Sequence, residues 1–257
     1  MAPHISVRDW IRMPASAQEE EPTSTLVLTS SGNRFVDIRI LKEGPEPVPQ
    51  IAIDAAMLPL SNLDWAFAGF SSSSTTTNVL DGSKLCKSVW KHWVDNRTLD
   101  ADKVHDEGFM FPQPDGRTLE KGAMVDPKTG RLEDYEEMWS DVEAMACEKS
   151  GVGVDVKCVV LQMEGSIGNA EGKEVARGMV IRLGQYCQGV VRVGEAFALE
   201  RWQWKGAGEK EGWKRLARMG DLFLPCGPAM EHFDRLQLGG KVTHEEFTWH
   251  VVELEER

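Results

Sequence analysis

The segment ARGMVIRLGQYCQGVVRVGEAFALERWQWKG, residues 176–206, decides the fold class. Met179, Ile181 and Leu183 alternate with Val180 and Arg182, and Val191 and Val193 repeat that period on the next piece. A period of two is that of a strand, because successive Cβ atoms leave opposite faces. Phe197, Leu199, Arg201 and Gln203 then oppose Ala198, Glu200, Trp202 and Trp204. The pieces are short and divided by glycine-bearing turns, so each is expected to fold back on the one before it, as in an antiparallel meander or barrel. No helical period intervenes, which argues against the βαβ units of a doubly wound parallel sheet.

The same period extends outward in both directions. EGWKRLARMG (211–220) continues the meander, and EEFTWHVVELEER (245–257) sets Phe247, Trp249 and Val251 against His250 and Val252. Upstream, TLVLTS (25–30) and RFVDIRIL (34–41) flank the turn Ser31–Asn33 as a hairpin, with Val36, Ile38 and Ile40 forming one apolar face. LDWAFAGF (63–70) and KSVWKHWVD (87–95) are further strands, and the second carries aromatics on both faces. Between them SSSSTTT (71–77) reads as a polar, low-complexity loop with no need of a fixed fold. EGPEPVPQ (43–50) breaks the sheet, and Asp115–Gly116 and Pro127–Gly130 are turns. LEDYEEMWSDVEAMA (132–146) fits a helix, through Leu132, Tyr135, Met138, Trp139 and Val142, while YEEMWSDV within it also fits an edge strand. Residues 1–24 are expected to form a loose arm, docked at most through Trp10 and Ile11, with a domain boundary near 128–130. The pairs LDWAFAG with VWKHWVD and LERWQWKG with GWKRLARMG suggest two similar halves.

Composition narrows the function classes. The 257-residue chain carries a net charge of -12, which repels a phosphate backbone at long range, and no local basic patch offsets it. No apolar run approaches the roughly 20 residues that span a bilayer, so no membrane insertion is expected. The five cysteines are widely spaced and odd in number, as suits reduced thiols rather than a disulfide framework or a zinc module.

Several segments carry a family resemblance: FVDIRI, LDWAFAG, WKHWVD, LEKGAMVDPKTG, YEEMWSDV, GMVIRLGQYCQGVVRVG, ERWQW and LPCG. In order and wording they resemble those of the fungal Hri protein family, over residues from about 25 to 254. The resemblance implies an all-β fold of two consecutive lipocalin-like antiparallel β-barrel domains with few short helices. On this chain the barrels would span 25–129 and 130–257, after a flexible arm at 1–24. It further implies distribution between cytoplasm and nucleus and a biochemical role not yet assigned. Its budding-yeast member is described as an interactor of a casein-kinase-I-type kinase, so a protein kinase or another protein is the implied partner. It brings no catalytic residues, cofactor or metal.

The search for chemistry is consistent with that. His92, near Asp95 and Asp64, is the one candidate for acid–base work; the plainer reading places it on the less buried face of its strand. GSIGNAEGK (165–173) lacks the residue order of a phosphate loop, and HEEFTWH (244–250) lacks the spacing of a zinc-protease helix. Glu136 and Glu137 read as hydrated surface carboxylates. The strongest remaining signal is aromatic, with nine tryptophans in the chain. Trp65, Trp93, Trp202 and Trp204, with Tyr186 and Gln188, are candidate lining residues of a barrel cavity; packing of the core and a buried hydrogen-bond network are the structural alternatives. The leading expectation is a non-enzymatic protein-interaction or adaptor module. The alternatives are binding of a small apolar ligand in a Trp-lined cavity and acid–base catalysis within one.

Overall fold

The computed structural model describes residues 2–15, 17–45, 56–77, 82, 84–126, 129–147, 155–168, 172, 174–206 and 211–257. Parts of the Pro-rich break at 43–50, of the turn at 127–130 and of the 165–173 loop lie outside the described residues. Eight antiparallel strands form a closed barrel: β1 (His4–Arg12), β2 (Thr23–Thr29), β3 (Arg34–Leu41), β4 (Leu63–Thr77), β5 (Lys84–Asp95), β6 (His105–Pro112), β7 (Thr118–Val125) and β8 (Leu132–Val142). β1 pairs with β8 and closes the ring. A second, seven-stranded sheet contains β9 (Lys157–Ile167), β10 (Glu174–Leu183), β11 (Tyr186–Val193), β12 (Ala196–Lys205), β13 (Gly212–Met219), β14 (Lys241–His244) and β15 (Phe247–Glu256), in the order β13-β12-β11-β10-β9-β15-β14.

The deciding segment folds as its period requires. Val180 lies opposite Gly189 and Met179 opposite Val190, in the β10–β11 hairpin, and β12 and β13 extend the meander. The hairpins β4–β5 and β12–β13, which carry the two similar Trp-bearing pairs, are the fourth and fifth strands of their respective sheets in chain order, although β12–β13 lies at the edge of its sheet.

Four expectations are corrected. The second half is a curled sheet that stops short of closure. In place of further strands, the segment with helix α1 (Cys226–Glu231) supplies Leu224, Cys226, Ala229, Met230 and Phe233 to the apolar cluster of Val180, Val191 and Trp249. The described part of residues 1–24 is not a loose arm: β1 buries Ile5 completely and supplies the pairing that β8 needs. β8 lies beyond the expected boundary yet belongs to the barrel, so the chain changes sheets between β8 and β9 rather than near 129. The Ser71–Thr77 run is the outer part of β4, paired with β5 from Ser71↔Trp90 to Thr77↔Lys84. Backbone hydrogen bonds fix it while nearly all of its side chains are exposed, and β-branched threonines favour the extended chain.

The two sheets share a core. β3 shows why: Val36, Ile38 and Ile40 face out of the barrel and pack with Met179, Ile181 and Leu183 of β10, while Phe35, Asp37 and Arg39 face in. Gln188 is fully buried at this junction. Its Nε2 donates to the carbonyls of Leu26 and Val36 at 2.8 Å each, and its Oε1 accepts from Arg201 Nε at 3.1 Å. Arg201 also donates to the carbonyls of Ser24 and Ile38. Across the same junction Arg34 pairs with Glu253 at 2.8 Å.

A candidate binding cavity inside the barrel

The inner face of the barrel alternates with the outer one on every strand. β3 sends Phe35, Asp37 and Arg39 inward, and β8 sends Tyr135, Glu137, Trp139 and Asp141. This period of two in β8 settles the choice between helix and strand. Phe67, Trp90, Asp106, Met110, Glu120 and Met124 come from β4 to β7, and the cavity, open at one side, holds about 410 Å³. Such a volume falls at the small end of the ~300–1,000 Å³ range of small-molecule sites.

One side of the cavity is charged and tightly paired. Arg39 donates from Nε and Nη2 to Asp37 Oδ2, at 3.1 and 2.9 Å, and from Nη1 to Glu137 Oε1 at 3.4 Å. Arg8, also buried, donates to Glu137 Oε1, to Glu21 and to Thr23. Burial opposes the charge on Arg39, but Asp37 and Glu137 outweigh it and hold the guanidinium charged. Burial raises the Asp37 carboxyl against the pull of Arg39. Tyr135 donates to Glu120 Oε1 at 2.7 Å. Burial and then the charge of Glu137, its register partner across β7–β8, push the Glu120 carboxyl up to about 8. Two acceptors at close range in low dielectric do not readily ionise together. Asp37 Oδ1 has no hydrogen-bond partner among the described residues, nor has Trp139 Nε1.

His92 lies beside this cluster and is 3 % exposed, so its placement on the less buried face is corrected. A bulge between Ala68 and Gly69 sets Gly69 opposite His92, turning the imidazole inward and Trp93 out to the shared core. Nδ1 lies 2.7 Å from Asp95 Oδ2 and Nε2 lies 3.2 Å from Asp106 Oδ2. Ionised carboxylates only accept, so this arrangement favours the imidazolium, in which both nitrogens donate. Burial disfavours the imidazolium, but the hydrogen bonds to Asp106 and Asp95 and their charges prevail and raise its pKa. The ring stacks on Phe67 at 4.2 Å, and Trp65 Nε1 donates to Asp95 Oδ1 at 3.1 Å. A histidine with both nitrogens engaged in this way is an anchor for a polar network rather than a poised base.

The lining candidates from sequence do not meet at one place. Trp65 packs with Phe35 and Phe67 in the barrel's aromatic cluster, beside the cavity. Trp93 lines a separate groove of about 340 Å³ together with Leu99, Val175, Arg177 and Arg192. Gln188 is in the junction network, and Tyr186 accepts from Gln203 Nε2 at 2.9 Å. Trp202 donates to Glu200, and Trp204 meets Trp213 edge to face. The tryptophans on the large cavity are Trp90 and Trp139. Sequence reading missed the charged side, and it assigned Glu136 and Glu137 to the surface; Glu137 is 2 % exposed and Glu136 is buried between Arg12 and Lys121. The signal was present: Asp37 and Arg39, of opposite charge two residues apart, share the strand face opposite an entirely apolar one. Among the described residues no group of three or more His, Cys, Asp or Glu side chains is arranged to hold a metal ion, and no helix is long and apolar enough to cross a membrane.

Fold and cavity together define an all-β protein in which a closed barrel with a polar, aromatic interior is backed by a curled sheet. The chain matches the family described as Protein HRI1 over residues 4–253, and it belongs to that family. Among solved structures it is similar to an uncharacterized protein, YLR301w from Saccharomyces cerevisiae, with a TM-score of 0.68 and 16 % sequence identity, covering 99 % of this chain and 100 % of that one. At that identity the likeness is one of fold. No curated protein matches the chain. Neither description assigns an activity or a ligand.

Proposed function

We propose that this is a binding protein whose barrel encloses a small molecule. The observation that carries the reading is the 410 Å³ cavity walled by aromatic and methionine side chains, with Asp37, whose buried Oδ1 has no partner among the described residues, among the lining residues. A buried acceptor without a partner costs roughly 1–3 kcal/mol, and a bound donor removes that cost. The engagement of His92 by two carboxylates supports binding over acid–base catalysis. The test is titration with N-phenyl-1-naphthylamine, a neutral fluorophore that brightens in apolar surroundings. Saturable binding at one site is expected, and it should be lost when Val27→Trp or Met124→Trp fills the cavity while the circular dichroism is unchanged. Binding that persists in both folded variants, or no saturable binding at all, refutes the reading.

A second reading, the protein-interaction role, is favoured by the groove that Trp93 lines. Leu99 and Val175 stand 58 % and 63 % exposed on its two sides, flanked by Arg177 and Arg192. Exposed apolar side chains brought together from a barrel loop and a strand of the second sheet are a common mark of a contact surface. Leu99→Asp with Val175→Asp should abolish partner capture by this groove without changing probe binding in the barrel; unchanged capture would sink this reading alone.

A further inference from the structure

We propose that the barrel cavity selects a small organic cation, an amine carried on an aromatic body. This rests on the binding function proposed above and specifies its ligand. The argument begins with the charges on the wall. Asp37, Asp106, Glu120, Glu137 and Asp141 line the cavity with the guanidinium of Arg39 and the imidazole of His4, while behind the wall Arg8 pairs with Glu137 and His92 with Asp106, so carboxyls still outnumber the cations. All three nitrogens of Arg39 are already engaged by Asp37 and Glu137, so it has little to offer an anion. The acceptors are in the opposite position. Asp37 is 3 % exposed, its Oδ2 is held by Arg39, and its Oδ1 has no partner among the described residues. An ammonium group supplies several donors and no acceptor, and so matches this wall where a carboxylate or phosphate does not.

The rest of the lining fits the same ligand. Phe35, Phe67, Trp90, Tyr135 and Trp139 offer aromatic surface, and a cation close to such rings is attracted by their quadrupoles.

Glu120 makes the proposal readable through protons. It faces Glu137 and Tyr135 of β8, Asp106 of β6 and Arg39 of β3. Burial and the neighbouring Glu137 keep it protonated at neutral pH, its carboxyl being pushed up to about 8. A cation beside it favours the ionised form, so amine binding at pH 7 should expel a proton from Glu120.

The experiment uses the full chain and three probes of one shape: 2-phenylethylamine, 2-phenylethanol and 3-phenylpropionate. Calorimetry at pH 7 in phosphate and in Tris, whose ionisation enthalpies differ, reads protons released. The expected result is amine affinity at least tenfold above that of the alcohol, no binding of the carboxylate, and net proton release. Asp37→Asn should lower amine affinity about tenfold and leave the alcohol unchanged. Glu120→Gln should abolish the proton release. Equal affinity for amine and alcohol, or binding of the carboxylate, overturns the cation inference and leaves cavity binding standing. Binding of the amine without proton release overturns the role given to Glu120. If all three probes fail while N-phenyl-1-naphthylamine binds, the cation inference falls; if that fluorophore fails too, the binding function falls with it.

Discussion

Replacing Gln188 by methionine tests how the barrel and the curled sheet are joined. Methionine keeps the unbranched chain and removes both polar ends, so packing is disturbed little. Three hydrogen bonds are lost: Nε2 to Leu26 O, Nε2 to Val36 O, and Arg201 Nε to Oε1. A net ~1 kcal/mol for each neutral bond and ~2 kcal/mol for the one from the guanidinium total about 4 kcal/mol. The added apolar surface returns about 1 kcal/mol, leaving a loss of about 3 kcal/mol. Arg201 makes the loss non-additive. It is buried, and burial already pulls its pKa down to about 10. Left beside a methionine, its Nε lies in an apolar junction with no acceptor. Adding Arg201→Met should therefore cost less in the Gln188→Met background than in the wild type, by about 1–2 kcal/mol. Urea denaturation followed by tryptophan fluorescence measures both. A single-variant loss below about 1 kcal/mol, or strict additivity of the pair, would show that apolar contact alone holds the two sheets together.

Three further predictions concern the barrel. Glu120 has a folded carboxyl raised from 4.5 to about 8, so the folded state keeps a proton that the unfolded chain has released. Its contribution to stability is present below pH 4.5 and declines by up to ~1.4 kcal/mol per pH unit as pH rises towards 8. Glu120→Gln should flatten the stability curve across that window, and an unchanged slope would contradict the burial argument. His92 likewise has a raised pKa, so the stability from its imidazolium is complete below 6.5 and is lost as pH rises through the folded value. Nitrogen NMR followed against pH should show the His92 imidazolium persisting to higher pH than a free imidazole, and titration at or below the ordinary value would sink the anchor role. Gly69→Ala places a Cβ 1.9 Å from the Lys91 carbonyl oxygen, which forces the bulge to shift. It should cost about 1–3 kcal/mol by chemical denaturation, and a neutral result would mean that the bulge does not need glycine.

The strands were legible in the sequence because their cause is local. The alternation at Met179–Leu183, Val36–Ile40 and Phe247–Val251 follows from Cβ geometry alone, and the turns at Ser31–Asn33 and Asp115–Gly116 follow from turn chemistry. Absence of helical crossovers followed in the same way. Closure did not. Whether a last strand finds a first one depends on distant pairing, so β1 read as an arm and β8 as a helix or an edge until each had the other beside it. Only the three-dimensional arrangement decided that the second sheet stays open, because α1 and its flanking apolar residues fill the space that closing strands would take. The cavity lay beyond sequence for a related reason. Asp37, Arg39, Glu120 and Glu137 look like solvent-facing residues in any single strand. They become interior groups when curvature turns their shared face inward, and only then does burial alter their proton affinities and leave Asp37 Oδ1 in want of a donor.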